Sequence, residues 1–350
     1  ANNFLQNISG ILVDEKKKEQ QFIEALTLLI KLFKYGTPET KELIKSQITV
    51  PRIESFTLHY DNDISTKALA LLKEIEEEKM SDEDKKELKK CEHDMKQIYN
   101  DVILKVTEEC KKMIAEKQTL KMIKQVMHNA QISKITWAGQ YIVYLACYAT
   151  NTLIDKEAVL SHELEKSGIV DELIYFFNKL PTKEIRSFHI IHLFKFVEAC
   201  SISERRRLVQ IGILNPLNQL LENENEITLK YLSQIALRII SAVGDNSEDG
   251  KPNPLREQMN QDGIQGQLLQ IFHYQNYKDK EINSIAAITL GFLYKAVLLP
   301  SESGSKIIDH LKQKILHYNQ FIVESSLDAL AQLAECECIL HKINNIFINN

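Results

Sequence analysis

The sequence predicts an all-α chain built as a stack of helical repeats, and three observations carry that prediction. Glycine and proline number only 11 and 7 in 350 residues, against usual shares of about 7% and 5%, which favours long helices over strand-and-turn folds. A short apolar pattern led by glycine recurs with a period of about 42 to 45 residues. Between recurrences the apolar residues step by three and four, the spacing that puts them on one face of a helix.

Taken in order, Leu5 to Tyr35 reads as a leading helical pair, and Leu43 to Glu78 as a degenerate unit with Gln47 at the glycine position and Pro51 and Ile53 behind it. Glu74 to Lys124 is dense in Lys and Glu and has no strong breaker. Ser81 to Asp84 reads as a capping box. From there Leu88, Cys91, Met95, Ile98, Val102, Val106, Cys110 and Met113 form one apolar stripe, so a long charged helix is expected over 80–124. Ile114 to Thr150 reads as a second and third helix without the glycine.

The pattern then sharpens. Leu160, Leu164, Gly168, Ile169, Val170, Leu173, Ile174 and Phe177 are followed by a helix carrying Ile185, Ile190, Phe194 and Val197. The clearest unit runs from Arg206 to Asn246: a short helix through Leu208, then Gly212, Ile213, Leu214, Pro216, Leu217, Leu220 and Leu221, then a longer helix with Leu232, Ala236, Ile240 and Val243. Gly212 follows Gly168 by 44 positions. The next copy holds Met259, Gly263, Ile264, Leu268 and Phe272, then Ile282, Ala286, Leu290 and Leu293. Its 51-position offset from Gly212 is absorbed by the polar stretch Ser247 to Leu255, the kind of inter-unit loop in which solenoids accept insertions. Ser305 to Glu335 reads as a further pair, and Cys338 to Phe347 as the opening of another unit, so the array is expected to run past Asn350.

Gly-Ile-Leu-Asn-Pro-Leu-Asn-Gln-Leu-Leu at Gly212 to Leu221 resembles the start of the second helix of an armadillo repeat. The likeness is fullest over 156–297. It implies a right-handed α-solenoid of about six degenerate armadillo-like repeats with one long charged helix inserted. The expected organisation is a single solenoid over 1–350: degenerate repeats at 1–79, the charged segment at 80–124, and better-formed repeats at 125–350. In such a repeat Gly168, Gly212 and Gly263 mark the sharp turn from first to second helix, where a residue without Cβ fits a bent, crowded backbone.

Composition narrows function as well. A net charge of -5 and a pI near 6.1 give no global basic face for nucleic acid. The longest nearly apolar run, Tyr141 to Ala149, is well short of the roughly 20 residues a membrane span needs. Six scattered cysteines are expected to be reduced thiols of a cytosolic compartment. No dinucleotide fingerprint, P-loop, nucleophile elbow or His-Glu-x-x-His occurs, so no enzyme activity, cofactor or metal is expected. Cys336, Cys338 and His341 gather soft ligands, and His189 and His192 lie one turn apart, but neither group reaches the four ligands of a structural zinc site. Arg205, Arg206 and Arg207 read first as a solvated helix start, and secondarily as a contact for an acidic partner or phosphate.

Third helices of armadillo repeats line a groove, and in the nuclear-import adaptors Trp and Asn there clamp a peptide backbone. Laid on the same frame, the ladder positions here are Ala70/Glu74, Gln140/Tyr144, His192/Phe196, Arg238/Ala242, Ile288/Phe292 and Asp328/Gln332, none of them Trp or Asn. The sole tryptophan, Trp137, falls ahead of its frame. The expected partner-binding groove is therefore Gln140, Tyr144, His192, Phe196, Arg238, Ile288 and Phe292, taking a helical or extended protein segment, with buried inter-repeat packing as the competing role for its aromatics. The resemblance implies a non-enzymatic adaptor or scaffold subunit of a cytosolic or cytoskeletal assembly, ciliary ones included. An import-type peptide carrier or the regulatory region of a larger enzyme is the alternative.

Overall fold

The computed structural model describes residues 2–13, 18–57, 62–78, 80–98, 119–132, 137–155, 161–180, 182, 185, 187–222, 226–274, 276–337 and 339. All regular structure among them is helical. The chain divides into two compact units, residues 1–172 with 183–192, and residues 173–182 with 193–350.

The first unit begins with α1 (Asn2–Val13), α2 (Glu19–Tyr35), α3 (Pro38–Gln47), α4 (Val50–Thr57) and α5 (Asn62–Glu77). Pro38 opens α3 where its missing N–H costs nothing, and the Thr37 hydroxyl accepts from the Thr40 N–H at 3.3 Å. Leu26, Leu29 and Phe33 of α2 pack with Ile44, Ile53, Ile64, Ala68, Leu71 and Leu72 in one core. Arg52 donates to the Leu12 carbonyl and so ties α4 to the end of α1. The expected degenerate repeat at Leu43 to Glu78 is thus α3, α4 and α5, with α3 ending at Gln47, the glycine position.

α6 (Asp82–Ile98) starts from Ser81, whose hydroxyl accepts from the Asp84 N–H at 3.2 Å, and it buries Leu88, Cys91 and Met95. The rest of the stripe expected of a single long helix, Val102 to Met113, lies outside the described residues. α7 (Thr119–Ile132) and α8 (Trp137–Asp155) then pack on each other, and α9 (Ser161–Ser167) follows. The longer helices α2, α5 and α8 pack in sequence, each on the next. Between α5, α6 and α8 lies a buried ammonium: Lys73 pairs with Glu77 at 3.2 Å and with Glu92, and sits 5.4 Å from the centre of the Tyr141 ring.

α10 (Ile169–Lys179) and α11 (Ser187–Ala199) carry the chain into the second unit, followed by α12 (Ile202–Gln210), α13 (Leu214–Leu220), α14 (Glu226–Gly244), α15 (Arg256–Gln261), α16 (Ile264–His273), α17 (Glu281–Leu293), α18 (Gly304–Lys314) and α19 (Gln320–Ala334). Two short helices and one long helix make each full repeat, the armadillo-like order. Gly168, Gly212 and Gly263 have φ of 68°, 90° and 86°, in the left-handed region that L side chains avoid.

The long helices α14, α17 and α19 pack side by side with α17 in the middle. Every residue from Ile282 to Leu293 is consequently buried. Gly291 permits the closest approach, because a Cβ there would stand 2.7 Å from the Ala329 Cβ of α19. The polar stretch Ser247 to Leu255 is not simply a surface insertion. Its Asn253 is 2% exposed and donates to the Ile240 carbonyl at 3.0 Å and the Phe292 carbonyl at 3.1 Å, joining α14 to α17.

Arg205 and Arg206, two of the three consecutive arginines, correct the solvated reading. Arg205 Nε donates to the Val197 carbonyl at 2.9 Å and its terminal nitrogen to the Glu198 carbonyl at 2.8 Å, while Arg206 Nε donates to the Ala242 carbonyl at 2.7 Å. Cations at the last turns of α11 and α14 answer carbonyls that lack intrahelical partners and face the negative end of each helix dipole. Lys295, 2% exposed, does the same for the Gly244 and Ser247 carbonyls and lies 3.6 Å from Glu335.

Candidate functional site

In the second unit the exposed edges of α14 and α19 flank the buried α17 and enclose a cleft of about 410 Å³. Four helices line it: Ile202 and Arg205 of α12, Leu237, Arg238, Ser241 and Ala242 of α14 with Asp245 just beyond, Phe292 of α17 as floor, and Phe321, Ser325, Asp328, Ala331 and Gln332 of α19. Arg238, Ser241 and Asp245 recur at three and four residues, as do Phe321, Ser325, Asp328 and Gln332, so each helix presents one continuous stripe.

The cleft is polarised along its length. At one end the Arg238 guanidinium lies 4.9 Å from the centre of the Phe321 ring and 3.4 Å from a Glu198 carboxylate oxygen, while its Nε is buried with no hydrogen-bond partner among the described residues. Arg205 stands near it, its guanidinium pulled below the ordinary arginine range by burial and by the charge of Arg238. Two turns along, Asp245 and Asp328 face the cleft together. Burial pushes the Asp245 carboxyl up, Asp328 adds to the shift, and Lys295 and Arg206 oppose it. No salt bridge reaches either carboxylate among the described residues. Gln332 Oε1, also on the lining, is buried without a partner.

Chemically this arrangement offers two guanidiniums, two carboxylates, two hydroxyls and an apolar floor to a bound molecule. Asp245 and Asp328 both keep much of their surface open to solvent, with burial of part of Asp245 raising its carboxyl. No Cys or His lines the cleft to act as nucleophile or base.

The expected groove residues separate sharply. Arg238 and Phe292 line the cleft, as do Ala242, Asp328 and Gln332 from the same frame. Phe196 and Ile288 are fully buried, and Gln140, Tyr144 and His192 are at most 8% exposed. These five are packed against neighbouring helices and line no described cleft. His192 Nδ1 meets the Asn151 amide, Tyr144 packs 5.8 Å from the His192 ring, and burial pushes the Tyr144 phenol up to about 12. Frame positions on a helix with an open edge line the cleft, and those that neighbouring helices cover are buried. Phe321 and Asp245 were missed although each lies seven residues from a framed position, two turns along the same stripe.

Among the described residues no three metal-ligating side chains come together; His189 is buried, and Cys338 and His341 lie outside them. Among the described residues Cys91, Cys147, Cys200 and Cys336 form no disulfide. No described helix is long and apolar enough to cross a membrane. A second depression of about 600 Å³, beside Tyr274 and Tyr277, has its Glu226 carboxylate already engaged by the Lys278 and Asp279 N–H groups.

No known family profile matches this chain, and no curated protein does either. Among solved structures, an engineered protein is similar over 94% of this chain and 68% of its own length, at 14% identity and a TM-score of 0.44. A designed armadillo repeat protein matches over 83% of this chain and 99% of its own, at 13% identity and a TM-score of 0.39. A second designed armadillo repeat protein, in complex with the peptide (KR)4, gives 13% identity, the same coverage and a TM-score of 0.40. With every score below 0.5, the armadillo-like assignment rests on this chain's own helix order, turn glycines and packed rows of long helices.

Proposed function

We propose that the chain is a non-enzymatic adaptor that holds a segment of another protein in the cleft between α14 and α19. The observation that supports the reading is the lining itself: exposed apolar side chains beside buried polar atoms, Arg238 Nε and Gln332 Oε1, that lack partners. Burying such atoms unsatisfied costs about 1 to 3 kcal/mol each, a penalty that a bound main chain or side chain relieves. Repeat stacks present extended surfaces of this kind for partners rather than for small substrates. On this reading the chain serves as a subunit of a larger assembly, and the helices outside the cleft fix its geometry.

The test is a comparative purification from native cells. Ser325, half-buried on the cleft wall, is replaced by Trp to fill it, and the exposed Leu316 is replaced by Ser as a control remote from the lining. The same protein retained by the wild type and by Leu316→Ser, and lost from Ser325→Trp, supports cleft binding. An unchanged retained set in Ser325→Trp removes the cleft from the function.

A further inference from the structure

We propose that the occupant of this cleft is an extended segment of a partner protein carrying one acidic and one basic side chain about three residues apart, the acid at Arg205 and Arg238 and the base at Asp245 and Asp328. This rests on the cleft being the binding site and adds what it selects.

Two geometrical facts fix the conformation. Arg238 of α14 reaches across the floor to the Phe321 ring of α19 at 4.9 Å, so the cleft is narrow at that level. The lining also holds two buried polar atoms without partners among the described residues, Arg238 Nε and Gln332 Oε1, and the main chain of a helix cannot pair with them because its N–H and C=O groups are bonded to one another. An extended chain, whose main-chain groups are free, satisfies the lining where a helix does not.

The spacing of charge fixes the sequence. Arg238 and Asp245 are seven residues apart on α14, and Phe321 and Asp328 are seven apart on α19. Seven residues at 1.5 Å each put the two ends about 10 Å apart. An extended chain advances about 3.3 Å per residue, so about three residues cover that distance.

The signs are set by what each end lacks. At the cationic end Glu198 offers two guanidiniums a single carboxylate, at 3.4 Å from Arg238, while Arg205 spends its donors on the Val197 and Glu198 carbonyls. The acidic end holds two carboxylates with no salt bridge among the described residues, and the nearest cation, Lys295, is directed to the Gly244 and Ser247 carbonyls and Glu335. Between the ends, Leu237, Phe292 and Ala331 provide an apolar middle. A segment with charges reversed meets like charge at both ends, and a uniformly basic or acidic one meets it at one, which is how such an interface discriminates.

The experiment is selection of a displayed random dodecapeptide library on the full chain, repeated on Asp328→Lys and on Ser325→Trp. Asp328 is exposed and outside the core, so its reversal leaves folding intact. Wild type is expected to enrich peptides with an acidic and a basic residue about three apart in one fixed order, and Asp328→Lys, which sets a cation against Asp245, to lose the preference for the basic residue. A synthetic peptide of the wild-type consensus should bind Asp328→Lys roughly tenfold more weakly. Peptides lost on Ser325→Trp but lacking the spaced charge pair overturn this inference and leave cleft binding standing. Peptides indifferent to Ser325→Trp, or no enrichment on wild type, overturn both.

Discussion

Gly291→Ala should destabilise the second unit although alanine is the better helix former. The added Cβ would stand 2.7 Å from the Ala329 Cβ and 3.4 Å from its Cα, where carbon atoms prefer about 3.5 to 4.0 Å. α17 cannot step aside, since every residue from Ile282 to Leu293 is buried. Overpacking of this kind costs about 1 to 3 kcal/mol, offset by about 1 kcal/mol of helix propensity gained over glycine. Gly266→Ala isolates that gain, because Gly266 lies inside α16 with no heavy atom within 4 Å of its would-be Cβ. Urea unfolding followed by circular dichroism should place Gly266→Ala above the wild type by roughly 0.5 to 1 kcal/mol and Gly291→Ala about 1 to 3 kcal/mol below Gly266→Ala. Adding Ala329→Gly to Gly291→Ala removes the opposing methyl and should restore part of the loss. Equal stability of the two single variants would refute the claim that α17 and α19 are in backbone-limited contact.

Three further outcomes follow from the same packing. Asn253→Ala leaves the Ile240 and Phe292 carbonyls without their buried donor and should cost about 1 to 3 kcal/mol in the same assay. Gly212→Ala keeps free space, its Cβ meeting only the Asn215 amide at 3.6 Å, but forces a side chain to φ of 90°; a loss of about 1 to 2 kcal/mol is expected. His310, bonded to Ser284 at 3.1 Å, is held down from 6.5 to about 4, chiefly by burial and secondarily by Lys314. The unfolded chain takes up this proton first as pH falls. Its contribution is therefore intact above pH 6.5 and is lost progressively from there to about pH 4. Because the ring is partly solvent-exposed, the screened effect is about 1 to 2 kcal/mol. His310→Gln should flatten the stability profile over that window, and an unchanged slope would remove His310 as its source.

Residues local in sequence explain what was legible beforehand. Apolar steps of three and four located the long helices α14 and α17, because a helix buries its own stripe whatever it packs against. Gly168, Gly212 and Gly263 announced their turns, since positive φ is a property of one residue's backbone. The roles of Arg205, Arg206, Asn253 and Lys295 were illegible for the opposite reason. Each serves a carbonyl up to 51 positions away, and nothing near a polar side chain in sequence says which helix end it will reach.

The sequence by itself determined that this protein is helical, repeats with a period of about 44 residues and turns at its glycines, because hydrogen bonding within a helix and the sterics of a single Cβ are local matters. Which ladder residues remain open was decided only by tertiary structure. Arg238 and Ile288 occupy equivalent positions in successive repeats, yet Arg238 lines the cleft while Ile288 is fully buried. Exposure is a property of what neighbouring helices cover, and α17 is covered from both sides by α14 and α19.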